Sequence, residues 1–300
     1  MLFNNLTLFQ LSEPWSLTAE ALATRLESCA FQPCPGYQFS SSGWVPPLGR
    51  GAVDLVHAAM VCMLVCLRTE EKVLPPVVIN QIMAERIAVL EEQQQGPVRR
   101  RARQELREQI IQELLPRALN RSRDSFAYID PLNQWVVVNS ASPRAVEEIT
   151  AAIRKAVGTL PIVPVQAQRS PAAVMTAWLA EGSAPQGFAF GDMCELHETG
   201  EGGGVVRCRG QDLRGDELQG HLRAGKQVVR LGLIWDDRLA FVLDESLVIR
   251  HLRFLDVVQE SLKTVDTDSA AAIFDAEFAL MSGELARLIP RLLGIFGGQA

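Results

Sequence analysis

The chain has 300 residues and a mass of 33.0 kDa, enough to bury roughly 75% of its unfolded surface without staples and to form two domains or one large one. With 48% apolar and 21% charged residues its composition excludes a fibrous or disordered chain. The longest uncharged apolar run, residues 58–67, is far short of the ~20 residues of a membrane span, and the opening Met1-Leu-Phe-Asn-Asn5 lacks a basic region followed by an apolar one, so a soluble cytoplasmic protein with no membrane partner is expected.

Residues 2–11, with Phe3, Leu6, Leu8 and Phe9, read as a strand, and Ser16 as the N-cap of a helix through Leu17, Leu22, Leu26 and Cys29. Residues 36–51 are loop, and 57–67 a buried strand. Pro75 and Pro76 open a helix whose apolar positions are Ile79, Ile82, Met83, Ile87 and Leu90, and Gly96-Pro97 ends it. A second helix runs over about 98–115, with Ala102, Leu106, Ile110 and Leu114 as the seam to its partner, so the pair reads as a projecting helical hairpin. Residues 126–129 and 135–139 flank Asp130-Pro-Leu-Asn133 as a β-hairpin. Ser142-Pro143 caps a helix through Val157, and 160–165 form a closing strand. A short helix near 172–179 follows, then a glycine-rich stretch at 200–204 and strands at 205–209, 228–235, 239–243 and 248–254, with a short helix at 216–222. The tail, 267–296, reads as helical and interrupted at Gly283 and Pro290. The expected fold class is α+β with mixed or antiparallel sheets: residues 1–74 and 124–166 as a first lobe, 75–123 as the basic hairpin, and 167–300 as a second lobe with a long C-terminal helical region.

The net charge of −6 and the pI near 5.4 conceal an asymmetry. Between Pro97 and Arg123, Arg99, Arg100, Arg101, Arg103, Arg107, Arg117, Arg121 and Arg123 stand against Glu105, Glu108 and Glu113, a local +5. Arg99, Arg103 and Arg107 recur every four residues and line one side of a helix. Three glutamates cannot neutralise eight arginines, so the excess must face solvent or a polyanion such as a phosphate backbone. Lys226 and Arg230 share a strand face with Val228, and Arg207 shares one with Arg209. Aromatic residues are nearly absent among the arginines, with Phe126 and Tyr128 the nearest, which favours phosphate contact over base stacking.

Other motifs read structurally. The six cysteines suit buried reduced thiols, no CxxC occurs, and His57, His197, His221 and His251 are scattered, so neither metal nor cofactor is expected. The glycines at 200–204 precede a strand rather than a helix and do not make a phosphate loop. Asp236-Asp237 and Asp244-Glu245 read as turn residues; a two-metal nuclease built on them is the catalytic alternative. Nothing in the chain demands an enzyme.

Several blocks in order, Gly43-Trp-Val-Pro-Pro47, Glu70-Glu-Lys-Val-Leu-Pro75, Leu114-Leu-Pro-Arg-Ala118, Leu160-Pro-Ile-Val-Pro164, Gly182-Ser-Ala-Pro-Gln-Gly-Phe188, Ala224-Gly-Lys226, Phe274-Asp-Ala-Glu-Phe278 and Met281-Ser-Gly-Glu-Leu285, resemble the recombination-associated RdgC family across essentially the whole chain. The resemblance implies a non-enzymatic, nucleoid-associated protein that binds double-stranded DNA without sequence preference. It further implies a ring-shaped homodimer with DNA in a positively charged hole, and restraint of RecA-promoted recombination. The projection departs from the family in carrying arginine where lysine is usual, and the stretch between Glu92 and Gln104 is least like the family blocks. The expected DNA-binding set is therefore this chain's own: the eight arginines, Lys226 and Arg230, with Lys72 a weaker member. Leu119, Leu288, Leu292 and Phe296 are expected dimer contacts. The rival reading, from a different class, is a regulator whose arginine helix docks on an acidic protein partner.

Overall fold

Apolar alternation and β-branched runs pair into antiparallel ladders, and amphipathic helices cover them. The computed structural model describes residues 2–49, 51–198, 203–263 and 269–298. The first sheet holds seven strands: β1 (Thr7–Leu11), β2 (Ser40–Val45), β3 (Val56–Ala59), β4 (Cys62–Val73), β5 (Leu119–Asp130), β6 (Trp135–Val138) and β7 (Ile162–Pro164). Their order is β2-β4-β5-β6-β1-β7, with β3 also on β4. The second holds β8 (Phe188–His197), β9 (Val205–Arg209), β10 (Gln227–Trp235), β11 (Leu239–Asp244) and β12 (Ile249–Phe254), in the order β12-β11-β10-β8-β9.

Helix α1 (Ala19–Glu27) precedes the hairpin of α2 (Pro76–Gln94) and α3 (Arg100–Leu114), and α4 (Pro143–Val157) follows β6. Helices α1 and α4 cover one face of the first sheet, where Leu22, Leu26, Ile149 and Ile153 meet Val65, Ile129 and Val136. The other face contributes Phe3, Leu64, Tyr128 and Val137 to a core shared with the second sheet. Helices α5 (Pro171–Glu181), α6 (Asp216–Arg223), α7 (Asp256–Lys263) and α8 (Ala270–Ile295) complete the second half. Helix α8 lies in that shared core, with Phe278, Met281, Leu285, Leu288 and Leu292 fully buried at helical spacing. The two sheets also touch directly, since Leu6 and Ile249 exchange backbone hydrogen bonds of 2.7 and 3.0 Å. The hairpin carries its own small core of Ile79, Leu106 and Ile110.

The structure revises several sequence expectations. The N-cap of α1 is Thr18, whose side chain accepts from the Ala21 amide, and not Ser16. The apolar run 57–67 is a tight hairpin and not one strand, because Met60 adopts a left-handed φ of 54°. Ala102 is exposed, so the hairpin seam begins at Leu106. Strand β8 and helix α7 occupy segments to which the sequence reading assigns no element. Helix α8 runs through Gly283 and Pro290 without a break; the burial of Leu288, Ile289, Leu292 and Leu293 around the proline outweighs its cost of about 3 kcal/mol. The expected helix start at Thr267 and the glycines at 200–202 lie outside the described residues. Gly43, within the Gly-Trp-Val-Pro-Pro block, has a clear cause: a Cβ there would sit 2.4 Å from the Phe31 Cα, where the chain runs beside β2.

Candidate nucleic-acid interface

The hairpin arginines are less uniform than their sequence run. Pro76 at the first turn of α2 and the left-handed Gln95 at its end set the reversal into α3. Arg103 then turns inward, donating to the Val98 carbonyl at 3.1 Å and to Glu91 at 3.2 Å, and Arg107 reaches Asn80 at 3.3 Å. Both brace α3 against α2. Arg101 pairs with Glu105 at 3.0 Å. Arg99, the N-cap of α3, Arg100 beside it, and Arg117 in the short 3-10 turn of Leu115–Arg117 are exposed and form no salt bridge among the described residues, although the Arg117 charge helps hold the Glu113 carboxyl down.

Arg121 and Arg123 belong to strand β5, not to the hairpin helices. They sit on the part of β5 that pairs residue for residue with the distal half of β4. Arg121 meets Glu71 at 3.1 Å, Arg123 meets Glu148 on α4 at 2.5 Å, and Arg144 joins those two carboxylates at 3.8 and 2.9 Å. The acids that offset these arginines come from β4 and α4, far away in sequence. Lys72 is half-buried opposite Asn120 and forms no salt bridge among the described residues.

The second sheet carries a basic surface of its own. Its inner face is the shared core, while its outer face bears Arg207 and Arg209 on β9, Arg230 on β10, and Arg250 and Arg253 on β12. Glu195 on β8 stands directly between Arg230 and Arg207 in register. It accepts from Arg207 Nε at 2.8 Å and Arg230 Nη1 at 3.2 Å through one oxygen, and lies 2.8 Å from His197 through the other. Burial alone would raise its carboxyl, but the hydrogen bonds of Arg207 and His197 with the charges of Arg230 and Arg207 overcome it and bring it down to about 2. Lys226 is only 14% exposed and ties Glu198 at 3.1 Å and the Gly204 carbonyl at 3.4 Å. Arg209, His251 and Arg253 rim an open groove of about 600 Å³ floored by Gly191, Gly232 and Val242.

The remaining candidates have structural places. Asp236 and Asp237 both take left-handed turn geometry. Asp244 accepts from the Ser246 and Val248 amides, each at 3.0 Å, and from Arg250 at 2.9 Å. Among the described residues no group of three or more His, Cys, Asp or Glu side chains is placed to hold a metal ion. Burial pushes the Cys62, Cys66 and Cys194 thiols up to about 12. Leu288, Leu292 and Phe296 are fully buried within the chain, so their apolar surface is unavailable to a second subunit, a correction to the expected interface. Leu119 is 80% exposed and adjoins exposed Val73 and Val78 at the base of the hairpin. Glu195 escaped the sequence reading because β8 did; the alternation of Cys194 and Leu196 with Glu195 and His197 was the available signal.

These features define an α+β protein of two antiparallel sheets, with arginine-bearing surfaces on a helical hairpin and on an open sheet face. The chain belongs to the RdgC family, whose description, "Putative exonuclease, RdgC", matches residues 1–299. It is 40% identical over 299 residues to a recombination-associated protein RdgC of Aeromonas hydrophila, covering 100% of this chain and 99% of that protein. It is 41% identical over 300 residues to the protein of the same name from Burkholderia cenocepacia, covering 100% and 96%. No helix among the described residues is long and apolar enough to cross a membrane.

Proposed function

We propose that this chain binds double-stranded DNA through its phosphates without base readout, as a ring-shaped homodimer, and thereby restrains RecA-promoted recombination. The observation that carries the reading is the exposed pair Arg99 and Arg100, which form no salt bridge among the described residues of a chain of net charge −6. Cations left uncompensated in an acidic protein form a local field that a phosphate backbone recognises. The named role of the relatives in recombination supports DNA as the polyanion. The exposed apolar patch of Leu119, Val73 and Val78 supports a second copy docking at the base of the hairpin.

Anisotropy titrations with two unrelated duplexes test the reading. Contact with six to ten phosphates gives a slope of log K against log salt of about −5 to −9, equal for both sequences. Replacing Arg99 and Arg100 by alanine weakens both duplexes alike and flattens the slope. A loss confined to one sequence would mean base readout. Absence of binding at low salt would leave the arginines to an acidic protein partner. Loss of the duplex only when magnesium is added would favour the nuclease that the family description names. A 33.0 kDa species in sedimentation at micromolar concentration would rule out the dimer.

A further inference from the structure

Reading across the outer face of the second sheet, one residue per strand, gives Arg207, Glu195, Arg230 and Asp244 as direct register partners on β9, β8, β10 and β11. Arg250 on β12 extends the row by its 2.9 Å bond to Asp244. The charges alternate along the row, and the signs differ in depth. The Glu195 and Asp244 side chains are 5% and 8% exposed, while Arg207 is 64% exposed. The carboxylates lie beneath and the guanidiniums above.

We propose that Arg207 and Arg230 form a phosphate clamp on this sheet face, with Glu195 as the positioning residue that holds both guanidiniums in place; the ligand class is the phosphodiester of the DNA backbone. This rests on the reading of the chain as a duplex-binding protein. Arg207 is anchored through Nε alone, so both terminal nitrogens remain available to fork onto two phosphate oxygens, which a lysine cannot do. Arg230 donates to the same Glu195 oxygen from the neighbouring strand, so one buried carboxylate fixes two cations across three strands. Two arginines against one acid leave the cluster net positive, and ordering their side chains before contact removes an entropy cost from binding.

Electrostatics and positioning predict opposite signs for one substitution. Glu195→Gln keeps shape and removes a negative charge, so if the carboxylate merely neutralises arginines the variant binds duplex DNA more tightly. If it positions them, the variant binds roughly tenfold more weakly, the worth of about one charge-assisted hydrogen bond. Its salt slope is then shallower by about 1 for each protomer in contact. The exposed Arg207→Lys, which leaves the fold intact, shows the same loss with its charge kept. In an Arg207→Ala, Arg230→Ala background, Glu195→Gln no longer weakens binding. Tighter binding by Glu195→Gln in the otherwise unchanged protein, or an Arg207→Lys variant equal to wild type, overturns the clamp while leaving duplex binding intact. Failure of the wild type to bind in the same titration overturns the functional reading itself.

Discussion

At the scale of single residues, the arginines divide by their partners rather than by their number. Arg103, Arg121 and Arg123 are offset by Glu91, Glu71 and Glu148, which lie outside the run that makes the segment look so basic. Exposed ion pairs of this kind contribute little to stability, at most about 1 kcal/mol each. Glu195 differs because it is buried and serves two arginines and a histidine. Its carboxyl stays ionised in the folded chain down to about pH 2, whereas it protonates near 4.5 once unfolded. The folded pKa is the lower one, so the stability it contributes is complete above about pH 4.5 and is lost as the pH falls towards 2. Urea melts of wild type and Glu195→Gln should therefore differ most near neutral pH and converge progressively below pH 4.5. A constant difference across that window would place the folded and unfolded pKa values together.

Among the elements, the α2–α3 hairpin stands on the smallest core, Ile79, Leu106 and Ile110, tied further by the two-pronged contact of Arg86 with Glu113. Ile110→Ala removes its fully buried member, a change worth about 2–5 kcal/mol. Because this core is separate from the two larger ones, amides of residues 76–114 should lose hydrogen-exchange protection while those of β10 and β11 keep theirs. Loss of protection throughout the chain would show the hairpin to be part of the global folding unit. The apolar period of α2 and the Gly-Pro break made this hairpin legible in the sequence. The continuation of Leu119–Asp130 as a single long strand was not legible, since its exposed first half, Asn120 to Asp124, has no apolar alternation and is held by its ladder with β4.

On the scale of the whole molecule, α8 joins the two sheets. Phe278 packs edge-on to Tyr128 of β5 at 5.8 Å, Phe274 meets His57 of β3 at 5.0 Å, and Arg238 beside β11 grips Glu284 with both ends of its guanidinium. Leu288→Ala, at the buried centre of the helix, should cost about 2–5 kcal/mol and lower one cooperative transition seen alike by probes in either sheet. Two separated transitions would mean that the halves fold independently despite their common core.

Composition, apolar period and turn chemistry determined most of the secondary structure: the hairpin at Asp130, the capped α4, the three strands from Gln227 to Phe254 and the apolar tail. These signals are local, because each depends on residues within a few positions of one another. They also determined that eight arginines stand together. Tertiary structure alone decided that Arg103, Arg121 and Arg123 are offset, because the acids that meet them lie 12 to 50 residues away, whereas the Arg101–Glu105 pair is local to one helix turn. It likewise decided that Leu288, Leu292 and Phe296 are buried within the chain, and that Glu195 sits between two arginines brought to it by neighbouring strands. Burial and charge pairing act through space across sheet registers, and a register brings together residues that the chain order keeps apart.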